Sequence, residues 1–178
     1  MTYQDLILRR ESCRDYDLNR AVEREKLVAC LEAARLAPSA CNSQPWKLYA
    51  VTERTTLKKV CAAVQGMGMN AFASNCPALI AVVEARPNAS ERVGARLTKQ
   101  DFVSVDIGLA VSQLCCEAVE QGLSTCIMGW LDEDKIRAAL GIEAARRVRL
   151  VIAIGYARSD AVRKKQRKAL TEIAEIIE

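Results

Sequence analysis

Ala78-Leu79-Ile80-Ala81-Val82-Val83 is an almost unbroken apolar run near the middle of a 178-residue chain. A strand with one wet face alternates polar and apolar residues, whereas a run without alternation marks a strand covered on both faces. Val148 to Ile154 reads the same way, and Leu48 to Val51 and Thr125 to Met128 complete four candidate strands. Covering both faces requires helices, and the chain supplies them. Thr2 and Asp5 form a capping box for a helix to about Arg10. Leu27, Val28, Leu31 and Ala34 place a second helix over about Glu23 to Leu36, which stops at Ala37-Pro38 because the residue before proline disfavours helix. Leu57 to Val64 is helical, and Asp132 caps a helix to Leu140. From about Thr98 to Gln121, apolar residues surround most of a long helix, which belongs in a core or an interface. Gly66 to Asn70 reads as a flexible connection, and polar Arg86 to Arg96 as a mobile surface loop. Arg163 to Lys168 is a basic run before a final amphipathic segment. The expected class is α+β, one domain over residues 1–178.

The bulk numbers narrow the function classes. Half the residues are apolar and the net charge is +4 with mixed signs, a balance unlike that of a nucleic-acid binder. No continuous run of about eighteen apolar residues occurs, so no membrane span is expected. Met1 to Arg10 has no signal-peptide core, and the expected location is cytoplasmic. The eight cysteines are scattered without a C-x-x-C pair, and several lie in apolar runs as small buried hydrophobes do. There is no histidine, which excludes mixed Cys/His zinc sites and the Ser-His and Cys-His nucleophile pairs. Gly66-x-Gly68 lacks the rest of a dinucleotide fingerprint. Chemistry must come from carboxylates, lysine, cysteine or a bound cofactor.

Three separated stretches suit one planar anionic ligand. Pro38-Ser39-Ala40-Cys41-Asn42-Ser43-Gln44-Pro45-Trp46 carries amide, hydroxyl, thiol and indole groups between a helix and a strand, where binding loops commonly lie. The same residues also make an ordinary proline-bounded turn whose Ser and Asn bond their own backbone. Arg10, Ser12 and Arg14 alternate, so an extended backbone projects them to one face, and Lys165 and Arg167 repeat the alternation. Guanidinium groups bond phosphate bidentately, though each cluster alone reads more readily as solvated surface charge.

Arg10-Glu11-Ser12-Cys13-Arg14-Asp15-Tyr16 resembles the R-x-S-x-R-x-[FY] opening of the nitroreductase family of FMN-dependent oxidoreductases. Ala37-Pro38-Ser39 through Asn42-Ser43-Gln44-Pro45-Trp46 resembles that family's A-P-S-x-x-N-x-Q-P-W motif. Asp106-x-Gly108, Gly122 to Gly129, Ile154-Gly155-Tyr156 and Lys165-x-Arg167 resemble its later segments, in order along nearly the whole chain. The resemblance implies a three-layer α-β-α sandwich with a central mixed sheet, dimerised through long helices, with FMN sites at the homodimer interface. It implies that Arg10, Glu11, Ser12, Arg14, Lys165 and Arg167 surround the FMN phosphate. Pro38, Ser39, Ala40 and Asn42 would approach the flavin from the partner chain, and Asn70 would meet the pyrimidine edge. Ile127, Met128 and Gly129 would offer backbone N–H groups near flavin N5 and O4. Some relatives carry an acidic residue where Met128 stands, so here a backbone contact survives and a side-chain role does not.

The implied activity is hydride transfer from NADH or NADPH through FMN to a small electron-poor acceptor, a nitroaromatic or quinone, in ping-pong order. No residue needs to act as a catalytic acid, because the cofactor carries the redox chemistry. Reductive dehalogenation, flavin fragmentation and a non-enzymatic flavin or thiol redox sensor are the alternatives. Trp46 reads as packing at the strand start. Trp130 reads as either core or pocket wall, and vicinal Cys115 and Cys116 as interface packing.

Overall fold

The computed structural model describes residues 1–178. Its centre is a four-stranded sheet in the order β1-β2-β4-β3, formed by β1 (Trp46–Val51), β2 (Ala78–Glu84), β3 (Ser124–Met128) and β4 (Val148–Gly155). All three pairings are antiparallel, with Leu48 opposite Val82, Ile80 opposite Ile152 and Cys126 opposite Ala153. In the single chain the expected mixed character comes down to one parallel bridge, Ser12 to Thr125, at the outer side of β3. The apolar run is where its composition demands: Ala78 to Val83 lies inside the sheet and each residue is at most 2% exposed.

Alternation along β2 divides the core in two. Leu79, Ala81 and Val83 face α3 (Arg54–Val64) and α6 (Glu133–Leu140), meeting Val60, Val64 and Ile136. Ala78, Ile80 and Val82 face α2 (Arg24–Arg35) and α5 (Phe102–Glu120), meeting Leu27, Cys30, Val111 and Leu114. This is the three-layer α-β-α sandwich. Burying each large aliphatic side chain contributes roughly 1.5–3 kcal/mol, so the two clusters dominate stability. By length and composition α5 could cross a membrane, with a mean hydropathy of 1.5. Here it packs on α2 and the sheet and carries Asp106 and Glu117.

Most boundaries follow their caps. Thr2 Oγ1 accepts from the Asp5 N–H at 3.2 Å and Asp5 accepts from the Thr2 N–H at 3.1 Å, opening α1 (Tyr3–Arg9). Glu53 starts α3 by accepting from Thr55 and Thr56 N–H groups, both at 2.7 Å. Those bonds hold its carboxyl down to about 2.

Three expectations need correction. The stretch Arg86 to Arg96 is not a loop throughout: α4 (Ala89–Thr98) runs there, started by Asn88, whose Oδ1 accepts from the Glu91 N–H at 2.9 Å. Pro87 precedes that cap and so does not interrupt the helix. Lys99, with φ 59°, then breaks the chain before Asp101 caps α5 through Ser104, so the long helix begins later than Thr98. The final amphipathic segment forms only a short turn at Leu170–Glu172, with Ile176 and Ile177 exposed. An apolar stripe supports a helix only where it finds a surface to bury against.

Behind β4 the packing is tight. A Cβ on Gly155 would lie 2.5 Å from Pro77 Cγ and 3.1 Å from Tyr16 Cδ1, and Tyr16 is fully buried with its hydroxyl donating to Ala153 O at 3.3 Å. Gly155→Ala is therefore expected to lose about 1–3 kcal/mol of stability by overpacking, read from denaturant unfolding. An unchanged midpoint would show that Pro77 moves aside freely. All eight cysteines are free: six are buried, Cys116 is half-buried and Cys41 is exposed. Burial pushes the Cys30 thiol up to about 12 and raises Cys13, Cys61, Cys76, Cys115 and Cys126. A disulfide-exchange reagent should label Cys41 first and the six buried thiols only on unfolding. Rapid labelling of three or more thiols in the native protein would contradict this core.

Candidate functional site

Arg10 ends α1, and the chain then runs extended beside β3, with the Cys13 N–H donating to Thr125 O at 2.9 Å. Cys13 turns into the core, while Ser12 and Arg14 stay at the surface. The C-terminal stretch returns to the same place: Arg163 donates to Ser12 O at 2.6 Å and to Glu11 Oε2 at 3.0 Å, and Lys165 donates to Arg10 O at 2.5 Å. Arg10, Glu11, Ser12, Arg14, Lys165 and Arg167 thus line one pocket of about 420 Å³, together with Arg163, Lys164 and Gln166. Residues some 150 positions apart meet here. Glu11 acts as counter-ion to Arg163.

The pocket is cationic beyond what its own acid balances. Lys165 is held below its usual range by desolvation and by the like charges of Arg10 and Arg167. A dianionic group relieves that repulsion while accepting from several donors at once. The donor set therefore suits a phosphate. Arg163 was not singled out from sequence, since the basic run gives no sign of which cation turns back on Glu11.

The Pro38 to Trp46 loop lies elsewhere: Pro38, Ser39, Ala40 and Asn42 do not line the basic pocket of their own chain. Cys41, Asn42 and Gln44 all adopt left-handed φ values, 50°, 51° and 49°. Such residues persist only where surroundings hold them. Gln44 N–H donates to Ser39 Oγ at 2.9 Å and its side-chain amide to Asn42 Oδ1 at 3.0 Å. From α4, Asn88 donates to Cys41 O at 2.9 Å and to Ser43 Oγ at 2.8 Å. From α5, buried Asp106 accepts from the Ala40 N–H at 3.0 Å. The brace from Asn88 was invisible while its stretch read as a loop.

Asn70, itself left-handed at φ 54°, donates to Val64 O at 3.0 Å and Trp130 O at 3.2 Å. That ties the Gly66 to Asn70 connection, expected to be flexible, to the end of β3. The Met128 side chain is buried, so only its backbone is available, while Ile127 is exposed at the sheet edge. Trp130 is 48% exposed, with its indole nitrogen 3.0 Å from where a Gly66 Cβ would lie, so the indole sits on the surface of that connection. Trp46 packs on the cluster beneath α2 and α5.

Burial raises the Asp106 carboxyl above its ordinary 3.8, offset in part by the Ala40 bond. A raised carboxyl leaves folding unpenalised below 3.8 and costs stability as pH climbs through the folded value. Asp106→Asn keeps an acceptor for Ala40 without a charge to desolvate. Its melting temperature relative to the parent should rise between about pH 3 and pH 7. A difference that shrinks with rising pH would sink this account.

Comparison with known proteins gives a consistent picture. The model of the nitroreductase family matches residues 7–67 and 63–156. An oxygen-insensitive NADPH nitroreductase from Helicobacter pylori is 22% identical, covering 96% of this chain and 94% of that protein. A nitroreductase family protein from Streptococcus pneumoniae superposes with a TM-score of 0.82 at 23% identity, covering 98% of this chain and all of that one. A protein from Exiguobacterium sibiricum, described as a candidate nitroreductase in complex with FMN, superposes at 0.81 with 22% identity over 99% of this chain and 97% of its own. With its sandwich, its basic pocket and a family match over most of its length, this chain belongs to the nitroreductase family.

Proposed function

We propose that the protein is an FMN-dependent oxidoreductase using NADH or NADPH to reduce an electron-poor aromatic or quinone acceptor. The observation that carries this is the meeting of Arg10, Ser12 and Arg14 with Lys165 and Arg167 around one pocket. The complex of the Exiguobacterium protein with FMN and the name of the Helicobacter relative support the same cofactor and donor type.

In this reading the arginines and Lys165 hold the FMN phosphate. Ser12 pairs with Thr125, and Met128 lies three residues further along β3, roughly 10 Å at strand spacing. A ribityl chain covers such a span, so the flavin ring would lie by Ile127, Met128 and Gly129, with Asn70 alongside. FMN supplies hydride acceptance at N5 and hydride donation to the second substrate. The chain's contribution is to bind the phosphate, to orient the ring by backbone N–H groups near Met128 and Gly129, and to leave one face open. In this reading the protons come from water, so no dedicated general acid is required.

Pro38, Ser39, Ala40 and Asn42 stand apart from the basic pocket of their own chain, so their place in this reading is over the partner's flavin. Val28 and Leu36 on or after α2, and Val105 and Leu109 on α5, are apolar and 42–64% exposed, which suits a homodimer formed through these helices. A thiol sensor is disfavoured, since six of the eight thiols are buried away from solvent.

Purified protein mixed with FMN and desalted should keep about one flavin per chain in its visible spectrum. Arg10→Ala with Arg14→Ala should weaken FMN binding by about 100-fold or more, from two lost charge-assisted contacts. Full retention of flavin by that variant would remove the clamp assignment, and a monomer that binds FMN tightly would remove the shared site.

A further inference from the structure

Between the outer edge of α3, the turn at Leu18 to Ala21 and the stretch Ser74 to Pro77 lies a groove of about 770 Å³. It shares no residue with the basic pocket. Its volume falls within the usual range for small-molecule sites. The wall is mixed, with Leu18, Leu57, Ala62 and Pro77 forming its apolar part. Two cations, Arg54 and Lys58, complete one side, and no acidic residue lines the groove. Neither cation takes part in any ion pair of the molecule. The neighbouring Glu53 has both carboxylate oxygens committed to the first N–H groups of α3.

Further polar capacity remains at the other end. Ser74 Oγ accepts from the Gln65 side-chain amide at 2.7 Å, which leaves its own O–H free to donate. Gln65 is fixed by a second bond, to Ala71 O at 3.0 Å, so this end of the groove is pre-formed. A cleft with an apolar wall, two cations outside any ion pair, a hydroxyl donor and no acidic residue in its lining suits one ligand chemistry. We propose that this groove is a second ligand site, separate from the flavin site, for a small amphipathic organic anion: an aromatic or short-chain carboxylate or sulfonate. The apolar body would lie against Leu57, Ala62 and Pro77, and the anionic head beside Arg54 and Lys58.

Anilinonaphthalene sulfonate is a suitable probe, with uncharged phenylnaphthylamine as its control. Both are titrated by fluorescence into protein already loaded with FMN, so that the flavin site is closed to them. Should the chain not take up FMN, the same titration is run on the protein alone, and the groove is judged separately from the flavin reading. The anionic dye is expected to bind once per chain without releasing FMN. Arg54→Glu with Lys58→Glu should weaken it about tenfold or more, on the scale of one charged contact, and leave the neutral dye unchanged. Ala62→Trp, at an exposed helical position, should block both dyes by filling the groove while flavin content stays constant. No dye binding, equal binding by the charge-reversed variant, or displacement of dye by FMN would each overturn the proposal.

Discussion

The double burial of β2 is the constraint on which the rest of the structure depends. A strand with no wet face must be paired on both edges and roofed on both sides, so β1 and β4 flank it and two helical layers close over it. Those layers then determine where the loops emerge. The Pro38 to Trp46 loop rises from the junction of α2 and β1, and the Met128 to Trp130 turn leaves the same end of the sheet, since Trp46 pairs with Glu84 and Met128 with Val151 near the start of β4. The architecture collects the family motifs, and Tyr16, Met128 and Ile154 from them pack into the core itself.

The basic pocket has a different origin. It depends on a chain crossing in which the segment after α1 and the returning C-terminal stretch pair off through backbone carbonyls, with Lys165 on Arg10 O and Arg163 on Ser12 O. These bonds satisfy the carbonyls and leave the guanidinium groups of Arg10 and Arg14 free of acidic partners. Structural charge pairs elsewhere, such as Arg137 with Glu133 and Asp134, are neutralised in place. Clustered cations that are left unneutralised repel one another, and a fold keeps them that way only against that cost.

How much could be read beforehand follows from the range of each interaction. The strands, α2, α3 and α6 were legible because their signals are local: an apolar run, a helical period, a cap. α4 was not, because Pro87 and the polar letters around it resemble a loop while Asn88 makes a sound cap, and the residue that decides between them bonds to Cys41, 47 positions away. The residues of the basic pocket were legible as patterns but not as a site, since alternation shows which face a side chain takes and not what it meets. Glu11 illustrates the limit: it is at the pocket, yet bound to Arg163. The C-terminal stripe misled for a related reason, because periodicity records a face that wants covering and the single chain offers nothing to cover it.

The three left-handed residues of the Pro38 to Trp46 loop bear on the proposed flavin site in a further way. A loop that condenses onto its ligand must give up backbone freedom at that moment, and the affinity is reduced accordingly. Cys41, Asn42 and Gln44 have already surrendered theirs, held by Asn88 on one side and Asp106 on the other. The entropy is spent during folding, out of the stability of α4 and α5, and so is no longer charged to the ligand. In the proposed site an ordered loop of this kind would work as a fixed wall, and discrimination among ligands would then rest on shape, because a wall that cannot adapt rejects what does not fit.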